Sequence, residues 1–132
     1  TKIKIAEEIL NTNSAINISR DDMPQIDNIN DLITWLNLVG INNYTNKLNT
    51  CCIKLTQSTI DDEKVKDILS KKMSNEIFIV SNDDYLVDGH HRYIANRLKY
   101  DYPFVDCLVI DMPIMALVTK LKEYPNIKHK TI

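Results

Sequence analysis

The chain changes from a strand pattern to a helix pattern across one glycine in the segment Tyr85-Leu86-Val87-Asp88-Gly89-His90-His91-Arg92-Tyr93-Ile94-Ala95. The residues before the glycine are mostly apolar, and those after it begin with two histidines and an arginine. A helix that opens directly after a strand leaves its first backbone N–H groups unpaired and adds partial positive charge there. The segment therefore predicts an anion site at the start of the helix.

The residues around this glycine have the chemistry that such a site needs. Gly89 lets the backbone approach a ligand closely, and Arg92 offers a planar fork for phosphate oxygens. His90 and His91 supply hydrogen-bond donors or a titratable proton carrier. Because successive helical residues point about 100° apart, we do not expect the two histidines to share one metal ion.

The composition predicts one compact domain. The chain has 132 residues, of which 44% are hydrophobic and 26% charged, enough for a single core. A formal net charge of −2 argues against a protein whose whole surface binds a nucleic-acid backbone. Any phosphate site is therefore expected to occupy a small part of the surface.

No apolar run approaches the length of a membrane span, and no leader pattern is visible, which favours a cytoplasmic protein. Cys51, Cys52 and Cys107 have no metal-binding spacing and are expected to be small buried residues.

Short β-rich runs alternate with capped amphipathic patterns, which predicts an α/β (α+β) fold with a small mixed sheet flanked by helices. Asn30 or Asp31 is expected to cap a helix that ends at Gly40, and Pro113 to open the last helix. The segment from Arg20 to Ile26 is expected to be a structured loop, and His129, which follows Pro125, is expected to be exposed. The predicted strands lie near 52–55, 77–80, 85–87 and 104–110, and the predicted helices near 2–11, 60–72 and 90–98.

This order of elements resembles the core of the ParB/sulfiredoxin superfamily. The resemblance is carried by three segments, Leu55-Thr56-Gln57-Ser58-Thr59-Ile60-Asp61, Ile77-Phe78-Ile79-Val80 and Leu86-Val87-Asp88-Gly89-His90-His91-Arg92-Tyr93-Ile94-Ala95. It covers about residues 51–110. It implies an N-terminal extension over residues 1–50, packed on a ParB/sulfiredoxin-like domain over residues 51–132.

The motif Asp-Gly-His-His-Arg is similar to the corresponding motif of ParB-like free-serine kinases and phage ParB-like proteins. Sulfiredoxins have a cysteine where this chain has His90, so thiol-based sulfinate repair is not expected. Chromosome-segregation ParB proteins have Gly-Glu-Arg-Arg and a helix-turn-helix module downstream. The serine kinases use a glutamate as general base where this chain has Gln57, which cannot take a proton.

The resemblance implies a nucleotide, ATP or CTP, bound through its phosphates by Gly89, His90, His91 and Arg92. The polar residues Thr56, Gln57 and Ser58 would face the same pocket. Asp88 is then the nearest candidate for the general base and for a Mg²⁺ ligand, and an aspartate at such a turn is equally well suited to cap a helix. If the N-terminal segment folds over the pocket, Arg20 and Gln25 could contact a substrate, although a structural salt bridge for Arg20 is at least as reasonable.

Three function classes stay open on this basis. The first is a nucleotide-dependent phosphotransferase that acts on a small hydroxyl substrate or on nucleic acid. The second is a ParB-like nuclease that cuts DNA with metal-bound carboxylates. Asp83, Asp84 and Asp88 are the only carboxylates clustered in the sequence near the motif. The third is a non-catalytic phage protein that binds a nucleotide or a host protein partner. Association with a protein partner or as a homodimer is left open for all three classes.

Overall fold

The computed structural model describes residues 24–26, 28–54, 66–68, 77–88, 90–99, 104–125 and 128–129. One mixed sheet contains four strands, β2 (Asn43–Asn49), β3 (Phe78–Ser81), β4 (Leu86–Asp88) and β5 (Phe104–Ile110). Their order in the sheet is β2–β5–β3–β4. Strand β5 runs antiparallel to β2 and parallel to β3, and β3 and β4 form an antiparallel hairpin. The predicted α/β class is confirmed.

Helices cover both faces of this sheet. Helix α1 (Ile29–Leu38) and helix α3 (Ile114–Leu121) pack on one face, and helix α2 (His90–Lys99) packs on the other. Alternate residues of a strand point to opposite faces, so β5 supplies both cores. Val105, Cys107 and Val109 face α2, whereas Leu108 and Ile110 face α1 and α3.

The hairpin and the helix that follows it agree with the sequence prediction. Strands β3 and β4 are joined through a tight turn in which the N–H of Asp84 donates to the carbonyl of Ser81 at 3.1 Å. Asp84 adopts a φ of 68°, a left-handed conformation that aspartate tolerates better than most residues. Helix α2 then begins at His90. The turn residues between the two strands are therefore sufficient to predict the position of the hairpin and of the helix after it.

The strand predicted near 52–55 is wrong over the described residues 52–54, and the sheet contains a strand that was not predicted. Residues Thr50–Cys52 form a 3₁₀ turn, and Lys54 makes only an isolated bridge with Tyr85. The additional strand is β2, whose sequence Asn-Tyr-Thr-Asn-Lys-Leu-Asn has low intrinsic strand preference. Its pairing with β5 along its whole length is what makes it a strand.

The boundaries of α1 and α3 correct one prediction and confirm two. Asn28, not Asn30 or Asp31, caps α1, because its Oδ1 accepts the N–H of Asp31 at 3.1 Å. Gly40 follows the helix with a φ of 79°, as expected of a glycine just past a helix end. Pro113 is the residue before the first turn of α3.

A second, two-stranded sheet joins the two ends of the described chain. Strand β1 (Pro24–Gln25) pairs antiparallel with strand β6 (Lys128–His129). The segment predicted as a loop before Ile26 thus contains a short strand, and the backbone of His129 pairs with that of Pro24. Of the helix predicted near 60–72, residues 66–68 are described, and they are helical. The helix predicted near 2–11 lies outside the described residues. Within the described ranges, no helix is long and apolar enough to cross a membrane.

The two cysteines whose side chains the structure describes lie in different environments. Cys107 is fully buried in the core that faces α2, which confirms the expectation for that residue. Burial, followed by the neighbouring Asp106 charge, raises the pKa of the Cys107 thiol to about 12. Cys52 is exposed, so the expectation that it is buried is wrong.

Candidate site at the junction of β4 and α2

The candidate site lies where β4 ends and α2 begins. Asp88 is the last residue of β4 and His90 the first residue of α2, while Gly89 lies outside the described residues. The junction is held on both sides, because β4 pairs with β3 and α2 packs on the face formed by Phe78, Val80 and Leu86. The start of the helix is therefore fixed relative to the sheet.

The carboxylate of Asp88 ties the N-terminal segment to this junction. Asp88 is only 7% exposed, and its Oδ2 accepts the backbone N–H of Ile26 at 3.0 Å. Strand β1 also contacts β4, so the backbone of Gln25 passes beside the end of β4. Residues 24–26, the described part of the N-terminal segment, therefore lie beside this junction.

His90 is enclosed by protein. Its side chain has no exposed surface, so a ligand that contacts it must itself be enclosed at the start of α2. His91 belongs to the same helical turn, and nothing in the structure describes its side chain. The side chain of His90 is thus packed inside the protein at the start of α2.

Arg92 is half-buried and lies over an aromatic ring. Its guanidinium carbon is 5.4 Å from the centroid of Phe78, close enough for a cation–π interaction. Phe78 in turn meets the Tyr93 ring edge to face, with the centroids 6.2 Å apart. The aromatic contact therefore places the Arg92 guanidinium beside the first turn of α2.

The position of α2 is reinforced by a polar network that sequence reasoning missed. The hydroxyl of the fully buried Tyr93 donates to the carbonyl of Thr50 at 2.7 Å. Nη1 of Arg97 donates to the same hydroxyl at 3.1 Å. Only the helical spacing of Tyr93 and Arg97 could have suggested their pairing, and nothing local points to Thr50. The network fixes the helix to the turn after β2.

The carboxylates considered for a metal-dependent nuclease do not converge. Asp83 lies in the hairpin turn, where it accepts hydrogen bonds from the Ser81 hydroxyl and from the N–H of Ile114 at 3.1 Å. It therefore caps helix α3, whose own N-cap residue is Pro113. A strand rises about 3.3 Å per residue, which places the backbone of Asp84, four residues earlier, roughly 13 Å from that of Asp88 at the far end of β4. In the described part of the chain, no three His, Cys, Asp or Glu side chains are grouped to hold a metal ion.

The remaining predicted site residues divide as follows. Arg20, Thr56, Gln57, Ser58 and Gly89 lie outside the described residues. Gln25 is described through its backbone, which pairs with Lys128 in the two-stranded sheet. This pairing brings a basic C-terminal segment, Lys128–His129, next to the segment that Asp88 holds. No sequence signal indicates such a contact, because a two-residue strand has no periodicity.

Comparison with protein-family models, with curated proteins and with solved structures finds no match to this chain.

Proposed function

We propose that this chain binds a nucleotide through its phosphate groups at the start of α2 and transfers a phosphoryl group to a hydroxyl on a small molecule or nucleic acid. The observation that supports this most is the convergence of Asp88, His90 and the β1 segment on one strand-to-helix junction. The similarity of Asp-Gly-His-His-Arg to the ParB/sulfiredoxin superfamily gives the proposal its reaction class.

In this proposal the backbone and cationic groups bind the phosphates. The first N–H groups of α2 and the helix dipole favour an anion at this point. Gly89 permits the close approach, and Arg92 supplies a charge-assisted fork from its position over Phe78. With ATP or CTP held in this way, positioning and charge neutralisation account for most of the catalysis.

Asp88 is the proposed proton acceptor and the proposed Mg²⁺ ligand. It is the carboxylate that the described residues place at the start of α2, and Gln57 cannot act as a base. A single carboxylate suits a Mg²⁺ held mainly by the nucleotide phosphates and water, which is the usual arrangement for this ion. When bound, the ion would neutralise charge that develops on the transferred phosphoryl group.

A second candidate function, nucleotide binding without turnover, is favoured by one observation. Oδ2 of Asp88 already accepts the N–H of Ile26, so the carboxylate has a structural task at the same place. A protein that kept the phosphate site while using its aspartate to hold β1 would bind and not react. The two functions differ in whether product forms, which makes them separable by experiment.

Incubation of the protein with labelled ATP or CTP, with and without Mg²⁺ and with a panel of hydroxyl acceptors and DNA, tests both functions. Arg92→Ala should weaken nucleotide binding by about thirtyfold, since a charge-assisted pair contributes on the order of 2 kcal/mol. Lys99→Ala is the matched control, because it removes a positive charge from the last residue of the same helix. Equal affinity of wild type and Arg92→Ala would refute the phosphate site, and binding without product would favour the second function.

A further inference from the structure

Strand β2 is an edge of the sheet and is open to solvent along its centre. Among the described strands, β5 is its only partner. The four residues Tyr44, Thr45, Asn46 and Lys47 are all exposed, and Tyr44 keeps 55% of its surface despite its size. An edge strand of seven residues offers a row of backbone donors and acceptors to another strand.

The hydrogen bonds show which residues of β2 point outward. The N–H of Lys47 donates to the Oδ1 of the adjacent Asn46 at 2.9 Å, so it is directed away from β5. The N–H of Asp111 donates to the carbonyl of Asn42 at 2.9 Å. The backbone of Asn42 therefore points toward the β5 side, and the even-numbered residues of β2 share this direction. Because the directions alternate along a strand, Thr45 and Lys47 present their backbone groups to the open edge.

We propose that two copies of this chain associate by antiparallel pairing of their β2 strands about a two-fold axis at Asn46. In this register Thr45 lies opposite Lys47 of the second copy, and both present outward backbone groups, as a hydrogen-bonded pair requires. Asn46 is the centre of the strand Asn43–Asn49, so the exposed residues on both sides of the axis lie within the pairing. The interface is isologous and closes at two copies.

The side chains favour this register over its neighbours. Tyr44 would lie opposite Leu48 of the second copy, and in each chain both residues are on the face of the sheet that carries Val109 and Val105. An aromatic residue opposite an aliphatic one is a favourable cross-strand pair. An axis at Lys47 would set two lysines opposite each other, which is unfavourable. An axis at Thr45 would leave part of the strand unpaired.

The charge of Lys47 does not prevent the pairing. Its ammonium lies 3.8 Å from Asp106 on the neighbouring strand of its own chain, so part of its charge is balanced within the monomer. In the proposed register its direct neighbour across the interface is the neutral Thr45. The hydrogen bond from Lys47 to the Asn46 side chain satisfies the N–H in the monomer, and the second strand would replace it.

Two opposite substitutions at one exposed position test the proposal. Thr45→Glu sets a carboxylate opposite Lys47 of the second copy, and Thr45→Lys sets an ammonium there. Each change acts twice because of the two-fold axis, so the dimer dissociation constant should fall about two- to thirtyfold for Glu and rise similarly for Lys. Sedimentation equilibrium of the wild type and both variants over a concentration series measures these constants.

Circular dichroism and thermal unfolding at low protein concentration establish that both variants keep the fold. A wild-type chain that sediments as a monomer at all concentrations would overturn the proposal. A dimer whose dissociation constant is unchanged by both substitutions would also overturn it, because association would then use another surface. Opposite shifts for Glu and Lys are the expected result.

Discussion

The carboxylate of Asp88 accepts the backbone N–H of Ile26 at 3.0 Å, across 62 positions of the sequence. The bond joins the end of β4 to the residue that follows β1. It sits beside the first residue of the helix proposed to bind phosphate. Asp88 therefore has a structural role that must be separated from any chemical one.

Two substitutions of Asp88 separate these roles. Asp88→Asn keeps an oxygen for the N–H of Ile26, so we expect nearly wild-type stability but a turnover lowered by roughly 10²–10⁴-fold if Asp88 is the base or the Mg²⁺ ligand. Asp88→Ala also removes the acceptor and should lower the free energy of unfolding by about 1–3 kcal/mol. Chemical denaturation and turnover per folded molecule are the measurements. Full turnover by Asp88→Asn would assign Asp88 to structure alone.

Asp83 caps a helix that begins 31 positions later in the sequence. Asp83→Ala should lower the free energy of unfolding by about 1–2 kcal/mol, since the first turn of α3 loses its side-chain acceptor. Asp83→Asn should cost less, because it removes the charge and retains an oxygen. Asp84→Asn is the matched control in the same turn and should change stability by less than about 0.5 kcal/mol. Equal effects of Asp83→Ala and Asp84→Asn in urea denaturation would contradict the capping role.

The Tyr93 hydroxyl links α2 to the turn after β2. Tyr93→Phe removes the buried hydrogen bond to the Thr50 carbonyl while the ring remains, so we expect a loss of about 1–2 kcal/mol in the free energy of unfolding. Tyr44→Phe, at an exposed position, should have little effect at low protein concentration. Thermal unfolding of the two variants gives the comparison. A Tyr93→Phe variant as stable as Tyr44→Phe would show that the bond contributes nothing net.

Cys107 should resist thiol reagents in the folded protein. Its raised pKa, about 12 against an ordinary value of 9.0, keeps the thiol protonated at neutral pH, and burial blocks access. At pH 8, iodoacetamide should therefore modify the peptide that contains Cys52 and leave Cys107 intact until denaturant is added. Peptide mapping by mass spectrometry reads both sites. Modification of Cys107 in native buffer at a rate close to that of the exposed Cys52 would count against its burial.

The same pKa gives a direction for stability at alkaline pH. The folded state binds the Cys107 proton more tightly than the unfolded state, so stability is fully present below about pH 9 and decreases as the pH rises toward 12. The free energy of unfolding of the wild type should decline more steeply over this window than that of Cys107→Ala. Parallel pH profiles for the two proteins would indicate that the thiol titrates alike in both states.

The sequence alone determined the unit from Phe78 to Lys99, because every signal there is local. The β-rich runs, the Asn-Asp-Asp turn and the amphipathic pattern after Gly89 lie within a few residues of one another. Gly40 and Pro113 likewise act on their own backbone, so their helix boundaries could be predicted. The candidate anion site at the start of α2 was likewise inferred from neighbouring residues in the sequence.

Tertiary structure decided the features that depend on residues distant in the chain. Strand β2 has a polar sequence and is a strand only because β5 pairs with it, since hydrogen bonds across a sheet can override weak local preference. The cap of α3 comes from Asp83, and the anchor for the β1 segment comes from Asp88; in both cases a carboxylate satisfies an N–H that its own neighbours do not. Such partners are brought together by chain topology, which no local pattern contains.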